Sequence, residues 1–262
     1  GRGLLHQRAE FGDGLNLYDP NSNSLTHFKN DPANPKSLGS DRINAMLCDS
    51  KGNFWLATDD AGLCLFDTKS YTCTSFKHDD SRNSISNNTV FDIYEDHSGR
   101  IWICTLGGLD VFDLKTKHFT IYKTKDGLPN DYVQSIWEDD KGHMWVSTNN
   151  GLSMFDPVTR KFRNFTTEDG LQADEFKQHS SLKSRTGAFY FGGVNGFNSF
   201  FPDQIVDNPY SPPLVLTRFQ IFNKDVEVSR GDNDKSPLKE DISETRSITL
   251  SHDQSVLSFE YA

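Results

Sequence analysis

Asp96-His97-Ser98-Gly99-Arg100-Ile101-Trp102-Ile103-Cys104-Thr105, followed by Gly108-Leu109-Asp110-Val111-Phe112-Asp113, decides the fold because it recurs. Upstream the same pattern reads Asp49, Gly52, Asn53-Phe54-Trp55-Leu56-Ala57-Thr58, then Gly62-Leu63-Cys64-Leu65-Phe66-Asp67. Downstream it reads Asp139, Gly142, His143-Met144-Trp145-Val146-Ser147-Thr148, then Gly151-Leu152-Ser153-Met154-Phe155-Asp156. A degenerate copy has Gly187, Ala188-Phe189-Tyr190-Phe191-Gly192-Gly193 and Gly196-Phe197-Asn198-Ser199-Phe200, and a partial copy opens at Gly14-Leu15-Asn16-Leu17-Tyr18-Asp19. The central aromatics Trp55, Trp102, Trp145 and Tyr190 stand 47, 43 and 45 residues apart. A period of that length marks an array of supersecondary units.

Each unit parses into four short strands. An alternating run such as Val133–Glu138 comes first, then an Asp-x-x-Gly turn, the Trp strand, the Gly-Leu strand and an outer strand such as 162–165. Four strands in roughly 45 residues is the signature of a propeller blade. The Trp strand is apolar at consecutive positions, as in Ile101-Trp102-Ile103. A strand with one wet face alternates, so a continuous run means that both faces are covered. Trp55, Trp102, Trp145 and Tyr190, with Gly62, Gly108, Gly151 and Gly196, are therefore the expected structural residues of the blades. The fold class expected is all-β: a propeller of about 4.5 four-stranded blades, part of a seven-bladed ring, over residues 1–207. An incomplete β-sandwich is expected over residues 208–262. Its boundary is Asn208-Pro209-Tyr210-Ser211-Pro212-Pro213, since successive prolines cannot join a ladder. Strands are predicted at 214–222, 247–250 and 256–261, with 229–246 as a polar, solvated loop.

The chain of 262 residues carries 37 acidic against 27 basic residues, a net charge of −10, and 12 % aromatics. Lys and Arg are scattered along it, which argues against a nucleic-acid partner. No run of 18 or more apolar residues appears. Gly1-Arg2-Gly3-Leu4 holds neither an initiator Met nor an apolar leader, and Tyr261-Ala262 stops inside a strand-like run. A chain cut from something longer at both ends, with further blades upstream, is the expectation. None of Cys48, Cys64, Cys73 and Cys104 forms a Cys-x-x-Cys pair. Cys64 and Cys73 fall in consecutive strands and can face each other, but small apolar strand residues are the preferred reading of all four.

The repeats, Asp-x-x-Gly-x-Ile-Trp-Ile-x-Thr-x-x-Gly-Leu-x-x-Phe-Asp in form, resemble those of the two-component regulator propeller family. Phe189-Tyr190-Phe191-Gly192-Gly193-Val194-Asn195-Gly196-Phe197 with Phe201-Pro202-Asp203 looks like the family's closing blade. Pro212-Pro213 through Phe222-Asn223-Lys224 resembles the Tyr-rich sandwich that follows such propellers. The resemblance departs at Gln7-Arg8, where an aromatic is expected. It implies the extracytoplasmic sensor of a membrane-spanning receptor, often a hybrid two-component histidine kinase of the Bacteroidetes. Such receptors commonly sense glycans, and the sandwich passes the signal on. By that likeness the chain is the periplasmic part of an inner-membrane receptor. Membrane anchor and kinase would lie outside it, and the ectodomain would form a homodimer.

Catalysis finds little support in the residues. Asp49, Asp96 and Asp139 lie three positions before their Gly, not the two of an Asp box, and recur once per unit. A recurring residue is a turn former before it is a unique catalyst. No carboxylate pair for glycoside cleavage stands out. The eight His show no His-x-His or His-x-x-x-His spacing, so metal and cofactor are both expected to be none. Turns between the second and third strands should share one rim with the loops joining consecutive blades. That rim supplies the candidate ligand residues Asp59, Asp60, Asn149, Asn150 and Asn195, flanked by Leu106 and Val194, with Asn130, Asp131 and Asp174 from the inter-blade loops. Asn and Asp suit an oligosaccharide or another small hydroxylated ligand, although they are also ordinary turn residues. The alternatives are a protein-interaction or dimerisation platform of a receptor with another output, and a glycan-cleaving propeller enzyme.

Overall fold

The computed structural model describes residues 4–6, 12–80, 83–206, 214–231, 234 and 236–262. Gln7, Arg8 and the proline-rich stretch 208–213 lie outside them. The chain divides into two compact units, residues 1–205 and 206–262.

In the first unit β1 (Leu4–His6), β2 (Leu15–Asp19) and β3 (Ser24–Phe28) form a three-stranded sheet. Three four-stranded sheets follow. The first blade is β4 (Ile43–Cys48), β5 (Phe54–Thr58), β6 (Leu63–Asp67) and β7 (Thr72–Phe76). The second is β8 (Val90–Glu95), β9 (Ile101–Thr105), β10 (Gly108–Asp113) and β11 (His118–Tyr122). The third is β12 (Val133–Glu138), β13 (Met144–Thr148), β14 (Gly151–Asp156) and β15 (Lys161–Phe165). The fourth, β16 (Phe176–Lys183), β17 (Phe189–Gly193) and β18 (Gly196–Phe200), has three strands among the described residues. Every strand pairs antiparallel with its sequence neighbours within a sheet, in a meander whose order is the chain order.

The Trp strands explain how the sheets stack. Because a strand alternates faces, the central Trp points forward and its two neighbours point back. Trp55 packs with Ile93, Ile101, Ile103 and Phe112 of the second blade. Trp102 packs with Ile136, Met144, Val146 and Phe155 of the third, and Trp145 with Phe176, Phe189 and Phe191 of the fourth. All three indoles are at most 1 % exposed. Tyr190 departs from the expectation: although it holds the Trp position, it is 36 % exposed. Its backward neighbours Phe189 and Phe191 are covered, and its own forward face is not.

Each Trp is fixed by the recurring Asp. The Asp96 Oδ1 accepts the backbone N–H groups of Ser98 and Arg100, while Oδ2 accepts the Trp102 Nε1–H at 2.8 Å. Asp49 with Trp55 and Asp139 with Trp145 repeat the arrangement, each at 3.0 Å. One carboxylate thus closes the turn and orients the indole. Gly62 (φ +80°) immediately precedes β6, where a Cβ would fall on the Phe76 carbonyl oxygen of the outer strand. Gly151 (φ +101°) meets Phe165 in the same way.

Cys64 and Cys73 are joined by a disulfide between β6 and β7, with Cα atoms 5.8 Å apart. The reading of these two as small apolar fillers is corrected. They sit diagonally across paired strands, since Cys64 lies opposite Ser75 and Phe66 opposite Cys73. Cys48 and Cys104 are free.

In the second unit β19 (Leu216–Ile221) pairs with β20 (Lys224–Asp225) and β21 (Leu257–Tyr261). The predicted strand through Phe222 ends one residue early. Phe222 (φ 51°) and Asn223 (φ 60°) form a two-residue hairpin turn of the primed type. Residues 247–250 are not a strand, yet Ile248 and Leu250 pack on the core of Phe219, Leu238 and Ile242. The stretch 229–246 is therefore not a wholly solvated loop, since Leu238 is 2 % and Ile242 8 % exposed. Two apolar residues four apart anchor a segment whose composition otherwise reads as polar.

Candidate functional site

The turns between second and third strands lie against the inter-blade loops, as backbone hydrogen bonds show. Asp59 N–H donates to the Arg42 carbonyl, Leu106 to Thr89, Asn149 to Tyr132 and Val194 to Glu175, all at 3.1–3.2 Å. Gly62 and Gly151 bond the loop of the following blade at Asn88 (2.8 Å) and Asp174 (2.6 Å). A Thr closes each turn: Thr58, Thr105 and Thr148 donate to the carbonyls of Gly62, Gly108 and Gly151. The structure therefore brings the predicted rim loops together at one end of the sheets.

The side chains on this rim have local partners. Asp59 and Asp60 both pair with Arg42, at 2.9 and 2.6 Å. The Ser40 hydroxyl and the Arg42 guanidinium hold the Asp60 carboxyl below its ordinary value. Asn130 Oδ1 accepts the Tyr132 N–H (2.8 Å) and Asp131 Oδ1 the Thr124 N–H (2.7 Å). Asp174 Oδ1 accepts the Thr167 N–H at 3.0 Å, the same contact one blade later. Asn149 Oδ1 accepts from Gln134 Nε2. Asn150 and Asn195 are exposed, and their amides make only long contacts to the Pro129 and Gln172 carbonyls, at 3.5 and 3.4 Å. Turn formation occupies the carboxylates and amides of Asn130, Asp131, Asn149 and Asp174. Asn150, Asn195 and the Arg42–Asp60 pair remain open to a ligand.

Inward of these loops lies a second tier that sequence reading missed. Each innermost strand carries a bulge near its start, between Ile43 and Ala45, Val90 and Asp92, and Val133 and Ser135. The bulged residues are Asn44, Phe91 and Gln134. Asn44 donates to the Val90 carbonyl of the next blade at 2.9 Å. Phe91 stacks on Tyr132, with centroids 4.9 Å apart, and Gln178 Nε2 donates to the Tyr132 hydroxyl. Gln134 is 4 % exposed and its Oε1 has no hydrogen-bond partner among the described residues. The available signal was the spacing, because Asn44, Phe91 and Gln134 keep the 47- and 43-residue steps of the tryptophans. Chemically the rim offers amides, an aromatic stack and one shared guanidinium. Among the described residues no group of three or more His, Cys, Asp and Glu could hold a metal ion.

Two carboxylates of the second blade stand out, Asp110 buried and Asp92 half-buried. Asp110 accepts the Ser86 N–H at 2.7 Å through one oxygen, and its other oxygen has no partner among the described residues. Burial pushes its pKa up to about 7. Asp92 accepts the Ile136 N–H of the third blade at 3.3 Å, and burial likewise pushes it up to about 7.

Comparison with known proteins agrees with this geometry. The family model described as two component regulator propeller matches residues 37–60, 84–107 and 127–150. Each match runs from an inter-blade loop through the innermost strand to the Trp strand. A curated relative, "Histidine kinase P4" of Formosa agariphila, is 29 % identical over 96 % of this chain and 18 % of its own length. The crystal structure of the extracellular domain of a hybrid two component system from B. thetaiotaomicron is 26 % identical, with a TM-score of 0.74. That match covers 98 % of this chain and 34 % of the other. Virginiamycin B lyase of Staphylococcus aureus shares the fold alone: 14 % identity and TM-score 0.51, over 72 % of this chain and 63 % of the lyase. The chain thus spans about a third or less of the sensor relatives it matches. The repeat and the stacked sheets thus agree with these likenesses: three successive units carry the two component regulator propeller repeat, and nearly the whole chain resembles the extracellular domain of a hybrid two component system.

Proposed function

We propose that the chain is the periplasmic ligand-sensing part of an inner-membrane hybrid histidine kinase, and that it recognises oligosaccharides at the rim. The observation that carries this reading is the match, over nearly the whole chain, to an extracellular receptor domain. The rim is chemically suited to hydroxylated ligands, for Asn150, Asn195 and the Arg42–Asp60 pair present exposed donors and acceptors on its loops. The segment binds without catalysing, because its recurrent carboxylates are committed to turns and indoles. In this reading residues 208–262 begin the sandwich that relays the signal, the receptor works as a homodimer, and anchor and kinase lie in other parts of the protein.

Calorimetric titration of the native ectodomain with a panel of oligosaccharides tests the proposal. One or more should bind, and the double variant Asn150→Ala/Asn195→Ala should weaken binding about tenfold, the loss of roughly 1.4 kcal/mol that one or two ligand hydrogen bonds represent. Absence of binding across the panel, together with capture of a periplasmic protein, would establish an interaction platform instead. Hydrolysis of a panel member, abolished by a single carboxylate substitution, would overturn the assignment as a non-enzyme.

A further inference from the structure

The innermost strand of the fourth unit keeps the pattern of the array at one end and breaks it at the rim. At the end away from the rim, each boundary repeats one contact between consecutive blades. Ser50 donates its N–H and hydroxyl to Glu95, both at 2.6 Å. His97 donates its N–H to Glu138 at 2.9 Å and places its Nδ1 on the same carboxylate. Asp140 pairs with Lys183 of β16 at 3.1 Å, the same positions with the charges reversed. The strand is therefore in register with its neighbours before it reaches the rim.

At the rim end the first three blades bulge by one residue each, and the bulged Asn44, Phe91 and Gln134 are buried. In β16 the pairing passes from Phe176–Gly193 to Ser181–Phe191, so Lys177, Gln178, His179 and Ser180 stand opposite Gly192 alone. Lys177, His179 and Ser180 are exposed, and His179 holds a left-handed backbone (φ 54°), strained for a residue with a Cβ. The neighbouring strand is rebuilt to carry the excess. Where the other blades have Ala57-Thr58, Cys104-Thr105 and Ser147-Thr148, the fourth has Gly192-Gly193. A Cβ at Gly192 would lie 2.9 Å from that of Ser180, and one at Gly193 would collide with the Gln172 side chain. Gln172 in turn replaces the missing Thr. Its Oε1 accepts the Asn195 N–H at 2.7 Å, as Thr148 Oγ1 accepts that of Asn150 at 3.0 Å.

Sheet packing does not require the extra residues, since three blades pair without them. A strained, polar, exposed segment on a rigid sheet is where binding function concentrates. This one is joined to the rim on two sides. At its base the Glu175 carbonyl accepts the N–H of Val194, in the turn that carries Asn195 (3.2 Å). Gln178 Nε2 donates to the Tyr132 hydroxyl at 3.2 Å, and the Tyr132 ring stacks on Phe91 of the second blade. We infer, on the reading of the rim as an oligosaccharide site, that the bulge of β16 determines which oligosaccharide is bound, with Gln178 and His179 contacting its hydroxyl groups alongside Asn195. With Nε2 on Tyr132, Gln178 offers its Oε1 as an acceptor. The His179 imidazole makes no hydrogen bond among the described residues and offers both a donor and an acceptor, the pair that a sugar hydroxyl needs. Lys177 is engaged by Glu175, which leaves the recognition to these two side chains.

The test titrates the native ectodomain calorimetrically with short oligosaccharides of glucose, mannose, xylose and galacturonate. Deleting Gln178 and His179 leaves Lys177 as a single bulged residue, the form of the first three blades. That variant should melt no lower than wild type and bind the preferred oligosaccharide about a hundredfold more weakly, so that the preference among the panel disappears. His179→Gly keeps the left-handed backbone and removes the imidazole. It should cost about tenfold in affinity at an undiminished melting temperature, and His179→Asn should recover part of that loss. Unchanged affinities in the deletion variant overturn the inference and leave the reading of the rim intact. A deletion that lowers the melting temperature by more than about 5 °C overturns it too, by making the bulge a structural part of the sheet. If the wild-type ectodomain binds no member of the panel, the reading of the rim fails and the inference fails with it.

Discussion

The Asp carboxylates show how one residue type takes opposite roles in neighbouring positions. Burial disfavours ionisation of Asp96, yet Ser98, Trp102 and Arg100 together bring its pKa below the ordinary value. A depressed folded-state pKa contributes stability above the unfolded value, and that stability disappears as pH falls through the folded one. Asp96→Ala should cost about 2–4 kcal/mol in urea unfolding at pH 7, because it strands the turn N–H groups and the Trp102 indole. Asp110 behaves in the opposite sense. Its pKa near 7 means that the neutral form suits the site, so its contribution is complete below the unfolded value of 3.8 and is lost as pH rises towards 7. Asn16 and Asn198 hold the same place in other units. Asp110→Asn should therefore stabilise the protein at pH 8, by on the order of 4 kcal/mol at most, and change little at pH 4. Equal effects at the two pH values would contradict the assignment.

At the scale of the strand, the forward and backward faces carry the energy. Trp102→Ala opens a cavity between two sheets and should cost about 3–5 kcal/mol in denaturant unfolding. Tyr190→Ala in this chain should cost less than about 1 kcal/mol, because its ring is already partly in water. The contrast separates a blade boundary that is filled from one that is not. The β6–β7 pair is tied by a disulfide across a separation of nine residues. A loop of that length stabilises by about 2.5 kcal/mol on chain-entropy grounds. Titration of the denatured protein with a thiol reagent should find two free thiols, those of Cys48 and Cys104, and reduction should lower the unfolding midpoint. Four free thiols would remove the disulfide.

Across the first unit, sheets stack in chain order and each holds its neighbour at both ends. Stability in such an array is close to a sum of units and nearest-neighbour interfaces, so damage at one boundary is felt locally. The rim and the opposite end then divide the work: loops at the rim vary in side chain over a fixed backbone pattern, while the opposite end repeats one cross-blade contact. No helix among the described residues is long and apolar enough to cross a membrane. In the second unit the core around Phe219, Leu238 and Ile242 is small and draws on residues far apart in sequence.

Local features were legible in the sequence. The period, the Asp-x-x-Gly turn and the continuous apolar run of Ile101-Trp102-Ile103 each depend on residues close together in the chain, and they specified four-stranded units with buried indoles. The rim loops were legible for the same reason, since strand order places them at one end. What the tertiary structure alone decided concerns partners one repeat or more away. Glu138 meets His97, and Gln134 lies buried beside Asn149 with one amide end unpaired among the described residues. Leu238 and Ile242 are buried within a polar stretch, and Tyr190 is left facing water where three tryptophans are covered. Residue type and spacing set which face a side chain takes, but whether that face is covered depends on another sheet, and no local pattern encodes its presence.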